Sequence, residues 1–332
     1  MNINWQRLIG GVLLSFIPLF SFVFLVSGSQ SYLLSEKKQS EEDALLANIS
    51  VASNVGGDSQ VNEEIKDNVE ISDTGEEIQK NNLDEVQVKE PELKSALSIE
   101  TNLLDEQKII FEKSSNLILP IASLTKLMTA VVSFDNYDLS ESVTVSKEAD
   151  SQSSMKIDLK EGDTFSIAEV LHIMLVESSN KAAYALSEKI GEEDFVFLMN
   201  KKASQIGLKN TYFSDPTGLS SSNVSTTEDL AALATYILSN YPDIAQMTIA
   251  KNYALDNFGE IKNTNNLLSE FSEIVLGKTG FTNSANGCLL VALFNPENSN
   301  YTINVVLGAD DRFLEMRKLI NSESTIDNNN NN

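Results

Sequence analysis

The sequence predicts an α/β (α+β) domain in which helices pack against a mostly antiparallel sheet. Strand-like apolar segments lie near both ends of residues 96–322, amphipathic helical patterns fill the middle, and one more helical pattern follows the last strand. This order lets the first and last thirds of the domain share one sheet. Since 42% of the 332 residues are hydrophobic, the chain is able to bury a large core.

The individual elements follow from hydrophobic periodicity and from cap and stop residues. Ser166 with Glu169, and Ser225 with Glu228, have the spacing of capping boxes that begin helices. The predicted strands are residues 96–101, 108–112, 273–278, 288–294 and 302–307. The predicted helices are residues 121–132, 166–176, 182–190, 193–206, 225–239 and 311–320.

The N-terminal region has the pattern of a membrane anchor. Residues 8–28 contain no charged side chain, and a helix of that length spans ~32 Å, close to the thickness of a bilayer. Arg7 precedes the segment and acidic sequence follows it, so residues 1–7 are expected to be a cytoplasmic tip. The expected location is the cell membrane, single-pass, with the remainder on the extracytoplasmic side. The alternative is a signal peptide cleaved near Ser27, which would give a secreted protein.

Charge and composition separate the rest of the chain into three parts. Residues 29–95 are predicted to be an acidic disordered linker, either a solvated spacer or an interaction segment, and residues 96–322 to be the catalytic domain. Residues 323–332, rich in Asn, are predicted to be a disordered tail. The net charge of −24 excludes nucleic acid as a partner bound through a basic face.

The single His and the single Cys restrict the chemistry. One Cys excludes an intramolecular disulfide and a Cys zinc cluster, and one His excludes zinc sites with two or three His ligands. His172 lies in an apolar helix and Cys288 in an apolar strand, so both are predicted to be structural. A hydrolase of this composition is expected to use Ser or Thr, with Lys or a carboxylate as the base.

The Ser-x-x-Lys pattern supplies such a pair. On a helix the two side chains of this pattern lie on one face, one turn apart. Burial of the Lys lowers its pKa, so that it is able to accept a proton near neutral pH. Only Ser123 and Lys126 begin a strongly amphipathic helix. The other occurrences are Ser35 with Lys38, Ser153 with Lys156, and Ser178 with Lys181.

The order of three motifs adds specificity. Ser123 and Lys126 are followed by Ser178 and Asn180, and then by Lys278-Thr279-Gly280, which is the pattern of active-site serine penicillin-recognising enzymes. The blocks that carry the motifs are residues 120–130, 178–188, 199–219 and 277–282. Together they closely resemble serine-type D-alanyl-D-alanine carboxypeptidases, the low-molecular-mass penicillin-binding proteins, over residues 95–322.

The resemblance implies the penicillin-recognising serine hydrolase fold and a role for each motif residue. Ser123 is expected to be the acylated nucleophile and Lys126 its proton acceptor. Ser178 and Asn180 are expected to relay a proton and to hold the substrate amide. The expected substrate-binding residues are Lys278 and Thr279 for the terminal carboxylate, with Gly280 and Phe281, the backbone N–H groups of Ser123 and Phe281 forming the oxyanion hole.

The activity that the resemblance implies is removal of the terminal D-alanine from peptidoglycan stem peptides, with β-lactams as covalent inhibitors and no metal or organic cofactor. The alternatives are a D,D-endopeptidase of cross-links, a β-lactamase and a catalytically silent wall-binding module. A β-lactamase is less favoured because no clear Glu motif for deacylation lies between Asn180 and Lys278. Ser179, Phe281 and Asn223 stand where relatives often have Gly, His or Tyr, and His, and none of these differences removes a catalytic group.

Overall fold

The structure, a computed structural model, describes residues 92–330 except 105–106, 155–156 and 257, with side chains as far as residue 322. The predicted cytoplasmic tip, the anchor at 8–28 and almost all of the acidic linker lie outside the described residues. Within the described part of the chain, the helices are all too short or too polar to cross a bilayer.

A five-stranded antiparallel sheet, in the order β2-β1-β11-β10-β9, forms the centre of the domain. Its strands are β1 Ser95–Thr101, β2 Gln107–Lys113, β9 Ile274–Thr282, β10 Asn286–Asn295 and β11 Asn300–Ala309. Pairing of β1 with β11 joins the two ends of the domain, as the strand-helix-strand order predicts. Three two-stranded ladders lie outside it: β3 Leu119–Pro120 with β6 Val224–Ser225, β4 Ser142–Thr144 with β5 Thr164–Ser166, and β7 Asn252–Leu255 with β8 Gly259–Lys262.

The helices lie between β2 and β9 in sequence, except for the last. They are α1 Thr125–Asn136, α2 Lys147–Asp150, α3 Ile167–Val176, α4 Asn180–Glu188, α5 Glu192–Gln205, α6 Thr227–Asn240, α7 Pro242–Ile249 and α8 Arg312–Asn330. Short 3₁₀ turns occur at Ala122–Leu124 and Asn266–Ser269.

Both faces of the sheet are buried, so the domain has helical layers on either side. On one face, side chains such as Leu97, Leu290 and Val305 belong to the large core shared with α1, α3, α4 and α5. On the other, Leu289 and Val306 pack beneath α8 in a smaller core. This alternation along each strand fixes the register, because a shift of one residue would exchange the two faces. The predicted fold class is confirmed.

Several boundaries differ by a few residues from those expected from sequence, and two of the differences have a local cause. The N-cap of α6 is Thr226, whose side chain accepts from Asp229 N, and not Ser225, whose hydroxyl hydrogen-bonds that of Thr211. Helix α8 continues to Asn330, into the segment predicted to be a disordered tail, because no Gly or Pro follows Ile320 to end it. The capping box of Ser166 and Glu169 is present as predicted.

Candidate active site

Ser123 lies in the 3₁₀ turn directly before α1, and two glycines allow other segments to pack against that turn. Ala122 has a φ of 47°, a left-handed conformation that turns the chain sharply before the serine. A Cβ on Gly218 would lie 2.0 Å from Ala122 O, and a Cβ on Gly280 would lie 3.2 Å from Ser123 N. Glycine at both positions therefore keeps the backbone around the serine close to its neighbours.

Lys126 lies one turn after Ser123 and is fully buried. Its Nζ atom is 3.0 Å from Ser123 Oγ, 2.7 Å from Asn180 Oδ1 and 2.5 Å from Thr217 O. Burial lowers the pKa of Lys126 to about 7, and the negative charge of Asp215 acts in the opposite direction. Close to neutral pH, a large fraction of this amine is unprotonated and able to accept the proton of the Ser123 hydroxyl.

Ser178 and Asn180 lie at the junction of α3 and α4. Ser178 has a φ of 68°, and the side chain of Ser179 caps α4, so Asn180 is the first residue of that helix. The amide nitrogen of Asn180 donates to Ser153 O at 2.8 Å, while its oxygen accepts from Lys126. These two bonds define which way the amide points.

Lys278 lies on β9 and is also buried. Its Nζ atom donates to Ser178 Oγ at 2.8 Å and to Thr279 O at 3.1 Å. Burial, followed by the positive charges of Lys126 and Arg312, lowers the pKa of Lys278 well below its usual value. A bound anion beside Lys278 would act in the opposite direction and favour its charged form.

The three motifs form one connected set. Ser123, Lys126 and Asn180 are linked by hydrogen bonds, as are Ser178 and Lys278. Thr279 and Gly280 follow Lys278 on β9, and the Thr279 hydroxyl lies 2.6 Å from that of Thr264. The Phe281 side chain is 59% exposed beside them. All eight residues predicted from sequence thus lie around one site.

Three contributors to the site were missed by sequence reasoning. Thr217 supplies a carbonyl to Lys126, and Asp215 organises the loop that carries it by accepting from Thr217 N and Gly218 N. Arg312 donates from Nη1 to Gly280 O at 3.4 Å, and its buried Nε has no partner among the described residues. Arg312 could have been noticed in the sequence, because a cation at the N-terminus of a helix is unfavourable for the helix dipole and therefore suggests another role for that residue.

The remaining candidates lie apart from this set. Lys181 of the Ser178 pattern bonds Asp150 and Asp158, and Lys38 and Lys156 lie outside the described residues. The His172 ring stacks on that of Tyr253, with centroids 3.9 Å apart.

Cys288 is buried, and burial raises the pKa of its thiol to about 11. In the part of the chain that the structure describes, no group of three or more His, Cys, Asp or Glu side chains could hold a metal ion.

A buried lysine hydrogen-bonded to a serine on the same helix face, facing a second serine–lysine pair, is the arrangement of serine hydrolases that use lysine as the base. The match to family models agrees: residues 84–311 match the model described as D-alanyl-D-alanine carboxypeptidase. The chain belongs to this family, as the order of the motifs predicts.

Individual relatives include both carboxypeptidases and endopeptidases. The chain is 34% identical to D-alanyl-D-alanine carboxypeptidase DacF of Bacillus subtilis, covering 69% of this chain and 61% of that protein. It is 33% identical to a D-alanyl-D-alanine endopeptidase of Pseudomonas aeruginosa, covering 64% of this chain and 72% of the relative. The chain therefore spans somewhat less than two thirds of the Bacillus protein.

Solved structures give the same class. Penicillin-binding protein D2 of Listeria monocytogenes with bound cefotaxime superposes with a TM-score of 0.63 and 27% identity, over 69% of this chain and 96% of that one. The Streptomyces K15 DD-transpeptidase superposes with a TM-score of 0.62 and 26% identity, over 71% of this chain and 98% of that one. The predicted penicillin-recognising fold and serine-type hydrolase class are confirmed.

Proposed function

We propose that this chain removes the terminal D-alanine of peptidoglycan stem peptides through an acyl-enzyme on Ser123. The observation that carries the proposal is the buried Lys126 amine, 3.0 Å from Ser123 Oγ, with a pKa of about 7. A general base works best when its pKa lies near the working pH, and this amine meets that condition.

In the acylation step, Ser123 Oγ attacks the carbonyl carbon between the two D-alanines, and its proton passes to Lys126 Nζ. The oxyanion that forms is stabilised by the backbone N–H groups of Ser123 and Phe281, at ~3 kcal/mol for each donor. Collapse of the tetrahedral intermediate breaks the C–N bond and leaves an ester on Ser123.

The leaving nitrogen needs a proton, and the proton that Lys126 took from Ser123 reaches it by way of Ser178. Ser178 gives its hydroxyl proton to the nitrogen and receives the proton from Lys126, so Lys126 becomes a free amine again. Because Lys278 Nζ donates to Ser178 Oγ, the hydrogen of that hydroxyl is free to donate elsewhere. In the second half of the reaction, water takes the place of the leaving amine. Lys126 accepts a proton from this water, cleavage of the ester releases the peptide as a carboxylic acid that ionises in water, and Lys126 returns the proton to Ser123 Oγ.

The terminal carboxylate of the substrate fits the cationic end of the site. Lys278 and Arg312 face it with lowered pKa values caused chiefly by burial, and an incoming carboxylate would compensate both charges. The Thr279 hydroxyl adds a donor on the same strand. Because Lys278, Arg312 and Thr279 lie at this end of the site, we expect the substrate to carry a free carboxylate next to the bond that is cleaved.

The proposed location is the extracytoplasmic side of the cell membrane, with the catalytic domain tethered by residues 8–28 and the acidic linker. The support is the uncharged 21-residue segment and the charge order around it. A cleaved N-terminal segment would instead release the domain to the wall. In either case the proposed partner is peptidoglycan and the proposed process is cell-wall organisation.

The first test is intact-mass spectrometry of the full-length chain after incubation with benzylpenicillin, with Ser123→Ala as the control. A stable one-to-one adduct that the variant lacks is the expected result. Hydrolysed antibiotic without an adduct would favour a β-lactamase instead. An intact antibiotic without an adduct would favour a catalytically silent module.

A second candidate function is cleavage of cross-links as a D,D-endopeptidase. It is favoured by the similarity to endopeptidases of three organisms at 33–36% identity. The same residues would perform the same steps, with the amine of a neighbouring stem peptide as the leaving group. Parallel assays of a pentapeptide monomer and a cross-linked dimer separate the two, and we expect the monomer to be cleaved faster.

A further inference from the structure

Lys181 is a buried cation that the proposed reaction does not use. Its side chain is 7% exposed, and its Nζ atom donates to Asp150 Oδ1 at 2.5 Å, Asp158 Oδ1 at 2.8 Å and Leu159 O at 2.9 Å. An ammonium group has three hydrogens, so these three acceptors use all of its donors. We call this arrangement of Lys181, Asp150, Asp158 and Leu159 the lysine clasp.

The lysine clasp holds both ends of one backbone segment. Asp150 ends α2, and Asp158 and Leu159 follow eight and nine residues later, so residues at both ends of this stretch bond the same ammonium group. The backbone N–H of Ile157 also donates to the carboxylate of Glu177, which is buried beside Ser178. The described parts of this segment are thereby fixed against the start of α4.

The same segment holds the amide of Asn180. Ser153 lies between the two ends, and its carbonyl accepts from Asn180 Nδ2 at 2.8 Å. With the nitrogen directed at Ser153, the amide oxygen faces Lys126 Nζ at 2.7 Å. A reversed amide would place its N–H groups against the lysine amine and would lose both hydrogen bonds.

We propose that Lys181 is a positioning residue for the reaction: by closing the segment around Ser153, it fixes the orientation of the Asn180 amide beside Lys126. This inference rests on the proposed function and assigns a role to a lysine that touches neither substrate nor Ser123. Asn180 and Lys181 are consecutive residues in the first turn of α4, so the clasp and the amide share one rigid support. Among the described residues, the amide nitrogen of Asn180 donates only to Ser153 O, so its second N–H is available to the substrate.

A double-mutant cycle on the full-length chain tests this role, with the rate of Ser123 acylation by benzylpenicillin as the readout. We expect Lys181→Met to slow acylation by ~10-fold, as small displacements of reacting groups do. In an Asn180→Ala background, the same change is expected to alter the rate by less than ~2-fold, because there is no amide left to orient. The control is Lys189→Met, which removes an ion pair with Glu141 outside the clasp and should leave the rate unchanged.

The outcomes separate the positioning role from a merely structural one. Equal slowing by Lys181→Met in both backgrounds, or no slowing in either, would overturn the inference. If Lys181→Met does not fold, Asp158→Asn replaces it, since Asp158 is 63% exposed and its amide keeps an acceptor in place. In that cycle a ~3-fold slowing that vanishes with Asn180→Ala supports the role. A wild-type chain that forms no adduct would reject the proposed function, and the inference with it.

Discussion

Two buried lysines of this domain, Lys126 and Lys181, have pKa values shifted in opposite directions. Lys126 is fully buried, its hydrogen-bond partners among the described residues are neutral oxygens, and burial lowers its pKa to about 7. Lys181 is almost as buried, but the hydrogen bonds that it donates to the carboxylates of Asp150 and Asp158 outweigh the effect of burial and raise its pKa. The presence of carboxylate partners, and not depth alone, decides which of the two lysines has a lowered pKa and which has a raised one.

Asp215 is the carboxylate whose charge acts on Lys126, but its own hydrogen bonds go to other groups. Asp215 accepts from Thr217 N at 2.6 Å, Gly218 N at 2.7 Å and Asn223 Nδ2 at 2.5 Å. Its charge acts on Lys126 through space and raises that pKa only in part. The loop therefore brings a carbonyl, and not a carboxylate, to the amine.

The largest effect is expected from a change that keeps the charge of Lys126 but removes its ability to lose a proton. Lys126→Arg places a guanidinium that stays protonated beside Ser123, so acylation by benzylpenicillin should fall ~10³-fold. The control is Lys202→Arg, since Lys202 pairs with Asp135 at 2.7 Å elsewhere in the fold. More than a tenth of the wild-type rate in Lys126→Arg would contradict the assignment of Lys126 as the base.

The pH dependence of acylation sharpens the comparison further. With a pKa of about 7 for Lys126, the rate should rise with pH, reach half of its plateau near pH 7 and level off above it. The negative charge of Asp215 raises the pKa of Lys126. The positive charges of Lys126 and Arg312 lower the pKa of Lys278.

Asp215→Asn removes the one negative charge that raises the pKa of Lys126, so the midpoint should move to lower pH. The rate of the variant on its own alkaline plateau reports any damage to the loop separately. A midpoint that stays in place, or moves to higher pH, would contradict the electrostatic role of Asp215.

The motif residues of the site were predictable from sequence, since spacing within each motif is a local property. Ser123 and Lys126 share a helix face because three residues separate them, and Lys278 and Thr279 share a strand. Pairing of β1 with β11 was predictable from the order of apolar segments, because strands at both ends of a domain need partners.

The remaining contributors depend on contacts between distant segments. Arg312 reaches Gly280 of β9 across the intervening strand β10, because α8 starts just after β11 ends and Gly287 of β10 leaves room for the Arg312 Cβ. The partners of Lys181 lie 31 and 23 residues before it in an irregular segment without periodicity. No local sequence pattern predicts contacts between residues this far apart in the chain, so the structure was needed to find them.

A smaller effect is expected on stability when the lysine clasp is removed. Lys181→Met should lower the melting temperature by roughly 3 °C at pH 7, whereas Lys189→Met, whose ion pair is more exposed, should change it by less than about 1 °C. Hydrogen bonds from Lys160 and Lys181 lower the pKa of Asp158 to about 2.

A carboxylate with a depressed pKa adds stability above its unfolded pKa of 3.8, and this contribution disappears as the pH falls through about 2. The difference in melting temperature between wild type and Lys181→Met should therefore be constant from about pH 7 to 5 and shrink below about pH 4. A difference that grows in acid would contradict the ion pairing.

The smallest effect is expected at Phe281, which is uncharged and 59% exposed beside the two serine–lysine pairs. Its implied contribution is the backbone N–H, which every substitution except Pro retains, so Phe281→His should change kcat/KM on a stem pentapeptide by less than ~3-fold. Gly280→Ala on the same strand is the matched contrast, because its Cβ would lie 3.0 Å from Ile121 O and 3.2 Å from Ser123 N. A larger loss at Phe281 than at Gly280 would mean that the aromatic ring contacts the substrate, and that the site selects its peptide by apolar contact as well as by charge.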